Sequence, residues 1–227
     1  KSTQPPNGTT PGFLPYGRQA VDDDDVAAVV ETLRGDWLTQ GPEVDAFEHA
    51  LSSIVDARHV ISCSSGRAAL HLAIAAADIE PGDSVIVPAN TFLATANMVR
   101  MVGAEVIFAD VDAATGLMTV DHARAAIEGA DGENITAILP GHFAGQCDNP
   151  RAMSELAELH GLTIIEDACH ALGTTYQDGG AEHRVGECAH SAMATFSFHP
   201  VKTIAMGEGG AVATNDESLA TRMREFR

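Results

Sequence analysis

Short β-prone runs alternate with helical segments along almost the whole chain. The runs VIV at 85–87 and TII at 163–165 each follow a segment of helical periodicity, GRAALHLAIAAAD at 66–78 and RAMSELAELHG at 151–161. Alternation at this interval predicts an α/β fold, in which helices cover both faces of a mostly parallel central sheet. No linker rich in Pro, Gly or Ser follows the first twelve residues, so we predict one domain over residues 13–227.

The two ends of the chain depart from this alternation. The first twelve residues, KSTQPPNGTTPG, have no apolar core of the kind found in signal peptides, and we predict a flexible tail there. At the other end, ESLATRMREFR has a helical pattern that stops without a capping residue or a further element. The chain is therefore predicted to be part of a longer protein.

Composition argues against some classes of protein. The 227 residues include 32 acidic and 13 basic side chains, which gives a formal net charge of -19. This balance argues against binding to nucleic acid or to anionic membranes, because the charge that neutralises phosphate is missing. No window approaches the roughly 20 consecutive apolar residues of a membrane-spanning helix.

Cysteine and histidine patterns change this picture little. The four cysteines are scattered and form no C-x-x-C pair, which indicates buried thiols in a cytoplasmic protein. The ten histidines form no H-E-x-x-H or H-x-H pattern, so we expect no metal site.

The first candidate site is SCSSGRAAL at 62–70, where a predicted strand runs through Ser-Ser-Gly directly into a helix. Such a turn points free backbone N–H groups and the positive end of the helix dipole at one spot, which favours a phosphate group. The motif is neither a Walker loop nor G-x-G-x-x-G. A simple serine cap followed by glycine is the alternative interpretation.

The second candidate site is TIIEDACHALG at 163–173, in which a predicted buried strand ends at Asp167. A carboxylate at the exit of a buried strand is costly unless it is paired, so Asp167 is a candidate to hold a protonated pyridine nitrogen. His170 follows three residues later and is a candidate for the same pocket. The alternative for Asp167 is a helix-capping role.

The third candidate site is TFSFHPVKTIAMGEGG at 195–210, a loop between two predicted strands that carries Lys202. Pro200 stiffens the approach to the lysine, and the glycines after it allow a tight return. A lysine held in such a loop can attack a carbonyl to form a Schiff base. The alternative is a solvated surface lysine, which is the usual environment of this residue type.

The three segments together fit one ligand, pyridoxal phosphate. A phosphate site, an acid for a ring nitrogen and a Schiff-base lysine are the groups that hold this cofactor. In open α/β sheets, ligands bind beyond the carboxyl ends of the strands, where all three segments are predicted to lie. Phe92, in PANTFLAT, is available to stack on the ring, and core packing is its alternative role.

Longer motifs in the chain resemble a known family. DWLTQGPEVDAFEHAL, SCSSG-x-AALHLAI, VPANTFLATANMV, EDACHALGTTY and FSFHPVKTIAMGEGGAV are similar to segments of the DegT-type nucleotide-sugar aminotransferases, which are pyridoxal-phosphate enzymes of fold type I. The resemblance runs from about Phe13 to the last residue. It implies a large cofactor-binding domain, a smaller C-terminal domain that is absent here, and a homodimer.

The resemblance also implies roles for individual residues. Lys202 bonds the cofactor aldehyde and moves a proton between cofactor and substrate carbons, Asp167 pairs with the ring nitrogen, and Phe92 stacks on the ring. His170 is implied to lie near the ring. The phosphate is implied to be bound by Ser197 and the backbone at Gly66 and Arg67, and the sugar by Tyr16, Asp36, Trp37, Leu38 and Thr39.

Within the family, FLPYGRQ-x-V-x-x-D-D, DWLTQGP and DACHALG are most similar to the transaminases of pseudaminic acid synthesis. These act on a UDP-linked 4-keto-6-deoxy-N-acetylhexosamine, and glutamate is the implied amino donor. Sugar dehydratases of the family have histidine where the lysine stands. Lys202 therefore favours transamination over a dehydratase or a regulatory, non-catalytic relative. A cofactor-free binding or oligomerisation module is the alternative from another class.

Arg67 departs from the family pattern, which has threonine after the glycine of the phosphate site (S-G-T-A-A-L). An arginine at a helix start opposes the helix dipole unless an anion lies there. We expect that Arg67 either pairs with the cofactor phosphate or crowds it.

Overall fold

A computed structural model of the protein describes residue 17 and residues 19–227, so the predicted tail lies outside this range. The described residues form seven α-helices and nine β-strands. The helices are α1 Asp23–Arg34, α2 Pro42–Val55, α3 Gly66–Ala76, α4 Leu93–Met101, α5 Val120–Gly129, α6 Pro150–His160 and α7 Glu217–Phe226. The strands are β1 His59–Cys63, β2 Ser84–Pro88, β3 Glu105–Ala109, β4 Ile135–Ile138, β5 Thr163–Asp167, β6 Thr175–Asp178, β7 Ala181–Arg184, β8 Met193–Ser197 and β9 Gly210–Thr214.

Seven of these strands form one sheet in the order β1-β9-β8-β5-β4-β2-β3. β9 runs antiparallel to both of its neighbours, and the other neighbouring pairs are parallel. The prediction of an α/β fold with a mostly parallel sheet is therefore confirmed. Because β1, β2, β4, β5 and β8 all run the same way, the segments that follow them leave the sheet at one edge.

Alternate residues of the strands pack on opposite faces of the sheet. On β8 and β9, Met193 and Val212 belong to a core shared with α3, α4 and α7, whereas Phe196 and Ala213 belong to a core shared with α2. A third core joins β2, β4 and β5 to α5 and α6. Helices thus cover both faces, as the alternation predicts.

The first helix, α1, begins in a run of acidic residues that cap it. The Asp22 side chain accepts hydrogen bonds from the N–H groups of Asp24 and Asp25, and the Asp25 carboxylate accepts one from the Asp22 N–H. Negative charge at this end is stabilised by the helix dipole. The run of four aspartates is therefore a helix start.

The sequence pattern does not predict one element, a separate two-stranded hairpin formed by β6 and β7. Its strands, TYQD and AEHR, are mostly polar and lack the apolar alternation that identifies a half-buried strand. Gly179 and Gly180, both with positive φ, form its turn. A second difference is that β4 ends at Ile138, before the end of the predicted strand ITAILPGHF, because Pro140 has no N–H for the strand ladder.

Three further observations bear on the composition. No helix in the described part of the chain has both the length and the apolar character needed to cross a membrane. The four cysteines are free thiols, with Cys188 buried and the others half-buried. Among residues 19–227, no three His, Cys, Asp or Glu side chains come together in a way that could hold a metal ion.

Candidate active site

The candidate site forms where β1 and β8 leave the sheet on either side of β9. Gly210, the first residue of β9, pairs with Cys63 on one side and with Ser197 on the other. The carbonyl oxygen of Ser65 comes so close that a Cβ atom on Gly210 would lie 2.2 Å from it. Since only glycine allows this approach, Gly210 brings the segment after β1 close to the end of β8.

The segment after β1 forms the N-terminus of α3. Ser65 is the N-cap, and its hydroxyl oxygen accepts a hydrogen bond from the Ala68 N–H at 3.2 Å. The N–H groups of Gly66 and Arg67 have no acceptor among the described residues. The serine therefore caps the helix, and two N–H donors remain available, so the phosphate interpretation stays a prediction.

Gly66 also packs directly against the end of β8. A Cβ atom on Gly66 would lie 2.6 Å from Ser197 Cβ and 2.9 Å from Ser197 Oγ. The Ser197 hydroxyl therefore lies beside the first turn of α3. One hydroxyl and two backbone N–H groups at this spot form a set of donors suited to a phosphate group.

Asp167 ends β5, and two donors hold its carboxylate. The hydroxyl of Thr95, a buried residue of α4, donates to Asp167 Oδ2 at 2.7 Å, and the Thr91 hydroxyl donates to Thr95 at 2.9 Å. The Cys169 N–H donates to Asp167 Oδ1 at 3.2 Å. The next element is the strand β6, so the capping alternative for Asp167 is wrong. Each carboxylate oxygen keeps capacity to accept an N–H group from a ligand.

Lys202 lies in the loop between β8 and β9, as predicted. Backbone hydrogen bonds from the Phe198 N–H to the Gly209 carbonyl (2.9 Å) and from the Met206 N–H to the Phe198 carbonyl (2.8 Å) close this loop. A third bond, from the Lys202 N–H to the His199 carbonyl at 2.8 Å, fixes the backbone at the lysine. The lysine side chain is half-buried.

A cavity of about 600 Å³ joins these segments. Phe92, at the start of α4, is part of its lining and is 70 % exposed, so the core-packing alternative for this residue is wrong. The cavity gathers groups from the ends of β1, β5 and β8. Its lining includes every residue predicted from sequence to be catalytic or to bind the cofactor, namely Gly66, Arg67, Phe92, Asp167, His170, Ser197 and Lys202.

Charges in the cavity shift the pKa values of two neighbouring side chains. Burial lowers the pKa of His170, and the Lys202 charge lowers it further, although Asp167 opposes both. Burial and the Asp167 carboxylate raise the pKa of the Cys169 thiol well above its usual range, although Lys202 opposes this shift. At neutral pH, His170 is therefore a neutral imidazole and Cys169 a neutral thiol.

The residues predicted to bind the sugar are not gathered in this cavity. Thr39 lines an adjoining cavity of about 900 Å³, which shares Glu208 with the first. Trp37 and Leu38 are 62 % and 71 % exposed, and Tyr16 lies outside the described residues, so this role stays a prediction. The exposed turn between α1 and α2 comprises Asp36, Trp37, Leu38 and Thr39.

Sequence reasoning missed three residues of the site. Thr95 holds Asp167, and its signal is the four-residue spacing from Thr91, a residue of the turn before α4 whose hydroxyl donates to that of Thr95. His142 lines the cavity where the chain leaves β4, and Glu208 lines it from the glycine-rich turn before β9. Titratable residues at the carboxyl end of a parallel strand are the signal that could have identified His142.

Comparison with known protein families gives a match over residues 19–227. The matching family is the DegT/DnrJ/EryC1/StrS aminotransferase family. The chain belongs to this family. The resemblance inferred from the sequence motifs is thereby confirmed for the family as a whole.

Solved structures of similar proteins agree with this membership. DesV of S. venezuelae, solved in complex with a ketimine intermediate, has 34% identity and a TM-score of 0.80, over 89% of this chain and 52% of its own. Helicobacter pylori PseC, an aminotransferase involved in the biosynthesis of pseudoaminic acid, has 30% identity and a TM-score of 0.81, over 94% and 55%. NtdA of Bacillus subtilis, solved with bound cofactor PMP, has 33% identity and a TM-score of 0.77, over 91% and 45%.

Two conclusions follow for this member of the DegT/DnrJ/EryC1/StrS aminotransferase family. Its fold is that of the pyridoxal-phosphate-dependent aminotransferases of fold type I, as the resemblance implies. The chain spans about half the length of the solved proteins that it matches.

We predict that Gly66→Ala lowers the free energy of unfolding by about 1–3 kcal/mol, because the added methyl group overlaps Ser197. Gly129→Ala is the matched control, since a Cβ atom there meets nothing within 4 Å. Urea unfolding of both variants measures the difference. Equal stability of the two variants would show that α3 and β8 separate without cost.

Proposed function

We propose that this aminotransferase-family member binds pyridoxal phosphate and, in the whole protein, transfers an amino group to a keto group of a nucleotide-linked sugar. The observation that carries this proposal is the shared cavity of Lys202, Asp167 and the start of α3. An amine, a carboxylate and a set of anion-binding N–H groups are what the cofactor requires of the protein. NtdA, at 33% identity, has the related cofactor PMP bound.

The start of α3 fits the phosphate group of the cofactor. The N–H groups of Gly66 and Arg67 and the hydroxyl of Ser197 supply three donors, and the helix dipole favours negative charge at the same spot. A side chain at position 66 would fill the space next to Ser197. A bound group can approach the backbone at position 66 closely only if that residue is glycine.

Asp167 fits the ring nitrogen of the cofactor. Thr95 and the Cys169 N–H fix the orientation of the carboxylate, one at each oxygen. A carboxylate held in this way favours the protonated form of a ring nitrogen beside it. Asp167 is therefore the residue that would hold the proton at this nitrogen and so strengthen the electron-withdrawing power of the ring.

Lys202 supplies the reactive amine. When bound, pyridoxal phosphate supplies an aldehyde that takes an amine and a ring that withdraws electrons from it. Lys202 is the residue that would bond this aldehyde, and its free Nζ atom would hold and move a proton at the carbon that bears the nitrogen. Phe92 would cover a face of the ring, and neutral His170 adds no charge beside the lysine. The retained lysine favours amino transfer over dehydration.

A finer proposal concerns the substrate, a UDP-linked 4-keto-6-deoxy sugar with glutamate as the amino donor. It is supported by motifs similar to those of the pseudaminic acid transaminases and by the 30% identity to PseC. The adjoining cavities of about 600 and 900 Å³ offer room for a nucleotide as well as a sugar. Tyr16 and residues 36–39 at the sugar site, a homodimer and a cytoplasmic location belong to the same proposal.

We predict that pyridoxal phosphate gives the chain a visible absorbance band, and that Lys202→Ala abolishes the band because the bonding amine is lost. Borohydride reduction and peptide mass spectrometry locate the modified residue, and the chain has only Lys1 and Lys202 to distinguish. Circular dichroism of the variant controls for folding. A colourless wild-type protein with unmodified Lys202 would refute the proposal and favour a cofactor-free binding module.

For the full-length protein, we predict that glutamate and a UDP-linked 4-keto-6-deoxy-N-acetylhexosamine give an amino sugar and 2-oxoglutarate in equal amounts. Mass spectrometry measures the first product, and a coupled assay measures the second. A dTDP-linked 4-keto-6-deoxy sugar is the comparison substrate. Faster reaction of the dTDP-linked sugar would contradict the proposed substrate, and loss of water without 2-oxoglutarate would identify a dehydratase.

Arg67 extends the proposed phosphate site. The residue is exposed in the first turn of α3 and lines the cavity beside Gly66. A cation at a helix N-terminus costs roughly 0.3–1 kcal/mol unless it faces an anion. We therefore assign Arg67 to the cofactor phosphate, where it stands in place of the threonine of the family pattern.

We predict that Arg67→Thr lowers the affinity for pyridoxal phosphate about tenfold, which corresponds to the loss of one hydrogen bond between charged groups. Absorbance titration measures the affinity. Pyridoxal, which lacks the phosphate, is the matched control ligand and should bind wild type and variant equally. Much tighter binding of pyridoxal phosphate by the variant would show instead that the arginine crowds the phosphate.

A further inference from the structure

Next to Asp167 lies a buried pair of side chains that the proposed reaction does not use. His142 and Glu166 are 6 % and 7 % exposed, and His142 Nε2 lies 2.8 Å from Glu166 Oε2. Taking two charges out of water is costly, so a buried pair of this kind is a weak source of stability. Its position beside a ligand cavity suggests a role in shaping that cavity.

The surroundings of the pair keep both partners ionised. Burial lowers the pKa of His142, but the neighbouring Cys147 and the hydrogen bond and charge of Glu166 outweigh it and raise this pKa to about 10. Burial raises the pKa of Glu166, but the hydrogen bond and charge of His142 outweigh it and bring this pKa below its usual range. At neutral pH the two side chains are an imidazolium and a carboxylate.

The pair is joined to Asp167 through the backbone. The His142 N–H donates to the Asp167 carbonyl at 3.0 Å, and the Asp167 N–H donates to the Pro140 carbonyl at 2.9 Å. Successive strand residues point to opposite faces, so Glu166 and Asp167 direct their carboxylates to different sides of β5. The His142–Glu166 contact therefore fastens the segment after β4 to β5 from the side opposite the Asp167 carboxylate.

Beyond His142, this segment forms a wall of the cavity. It continues into a single 3-10 turn, Phe143–Gly145, in which Ala144 has a φ of 56°. Left-handed backbone is unfavourable for alanine and persists only where the surroundings hold it. On the far side of the turn, the Ala144 N–H donates to His170 Nδ1 at 3.5 Å, and the rings of Phe143 and His170 lie 6.1 Å apart.

We propose that the His142–Glu166 pair positions the wall of the cofactor cavity relative to Asp167. The pair anchors one end of the strained turn. The turn then fixes the positions of Phe143 and His170, which line the cavity. His142 and Glu166 are thus positioning residues, because they act on the bound ring through Asp167 and the turn. This inference rests on the proposed function, since it concerns how firmly pyridoxal phosphate is held.

The experiment compares His142→Gln with His190→Gln. Both histidines line a small cavity of about 30 Å³ beside Glu166, but His190 does not line the cofactor cavity. We expect His142→Gln to weaken pyridoxal phosphate binding roughly tenfold, as for the loss of one hydrogen bond to a charged group of the cofactor, and to shift the pH midpoint of the visible band. His190→Gln should change the cofactor affinity by less than twofold and leave the pH midpoint of the band unshifted, even if the variant has a lower melting temperature. Glu166→Gln, which keeps the side-chain size, should share the binding defect.

Unchanged cofactor affinity and pH midpoint in folded His142→Gln and Glu166→Gln would overturn the inference, because the pair would then only stabilise the fold. If neither variant folds, the wild-type protein decides through nitrogen-15 spectra of its imidazole rings. A His142 ring whose signals do not change when pyridoxal phosphate binds would overturn the inference, and a change in those signals is expected. A wild-type protein without a visible band would instead refute the proposed function, so the two failures are distinguishable.

Discussion

The candidate site depends on one close backbone contact, where the Ser65 carbonyl oxygen rests against Gly210. Within the described sheet, β9 is the strand that reverses direction, and it lies between β1 and β8. A side chain at position 210 would push the segment after β1 away from the end of β8. The N–H groups of α3 would then no longer lie beside Ser197, and the loop that carries Lys202 would lose its starting point next to them. The geometry of the cavity therefore requires a residue without a Cβ atom at position 210.

Local charge in the cavity contrasts with the charge of the whole chain. The protein carries a formal net charge of -19, yet the ligands proposed for it are anions. Salt screens exposed charges beyond about 8–10 Å at physiological ionic strength, so distant surface carboxylates have little effect on a bound phosphate. Arg67, Lys202 and the N-terminus of α3 act at much shorter range. The proposed anion binding would thus depend on a few groups at the sheet edge and not on overall composition.

Much of the fold and part of the site could be predicted from the sequence, because both follow from the periodicity of the strands. Asp167 ends one mostly apolar strand and Lys202 lies in the loop after another, and a parallel sheet brings the ends of such strands together. The partners of Thr95 and His142 could not be predicted with the same reasoning, since they lie on another element and the contacts depend on how α4 and the segment after β4 pack against β5. The β6–β7 hairpin has no apolar alternation and so gave no signal.

The anchoring of the lysine loop has a consequence for the pace of the reaction. The backbone at Lys202 is tied to His199, and the loop is closed onto β8 by Phe198, so the main chain has little freedom where the amine is attached. The four-carbon side chain, in contrast, has several rotatable bonds and is half-buried. Its amine can swing towards and away from a bound ring by rotamer changes alone, which take picoseconds to nanoseconds in side chains that are not tightly packed. Movement of the free amine would then be too fast to limit turnover, and the slow steps would belong to substrate entry, bond chemistry (including release of the lysine from the cofactor) or product release.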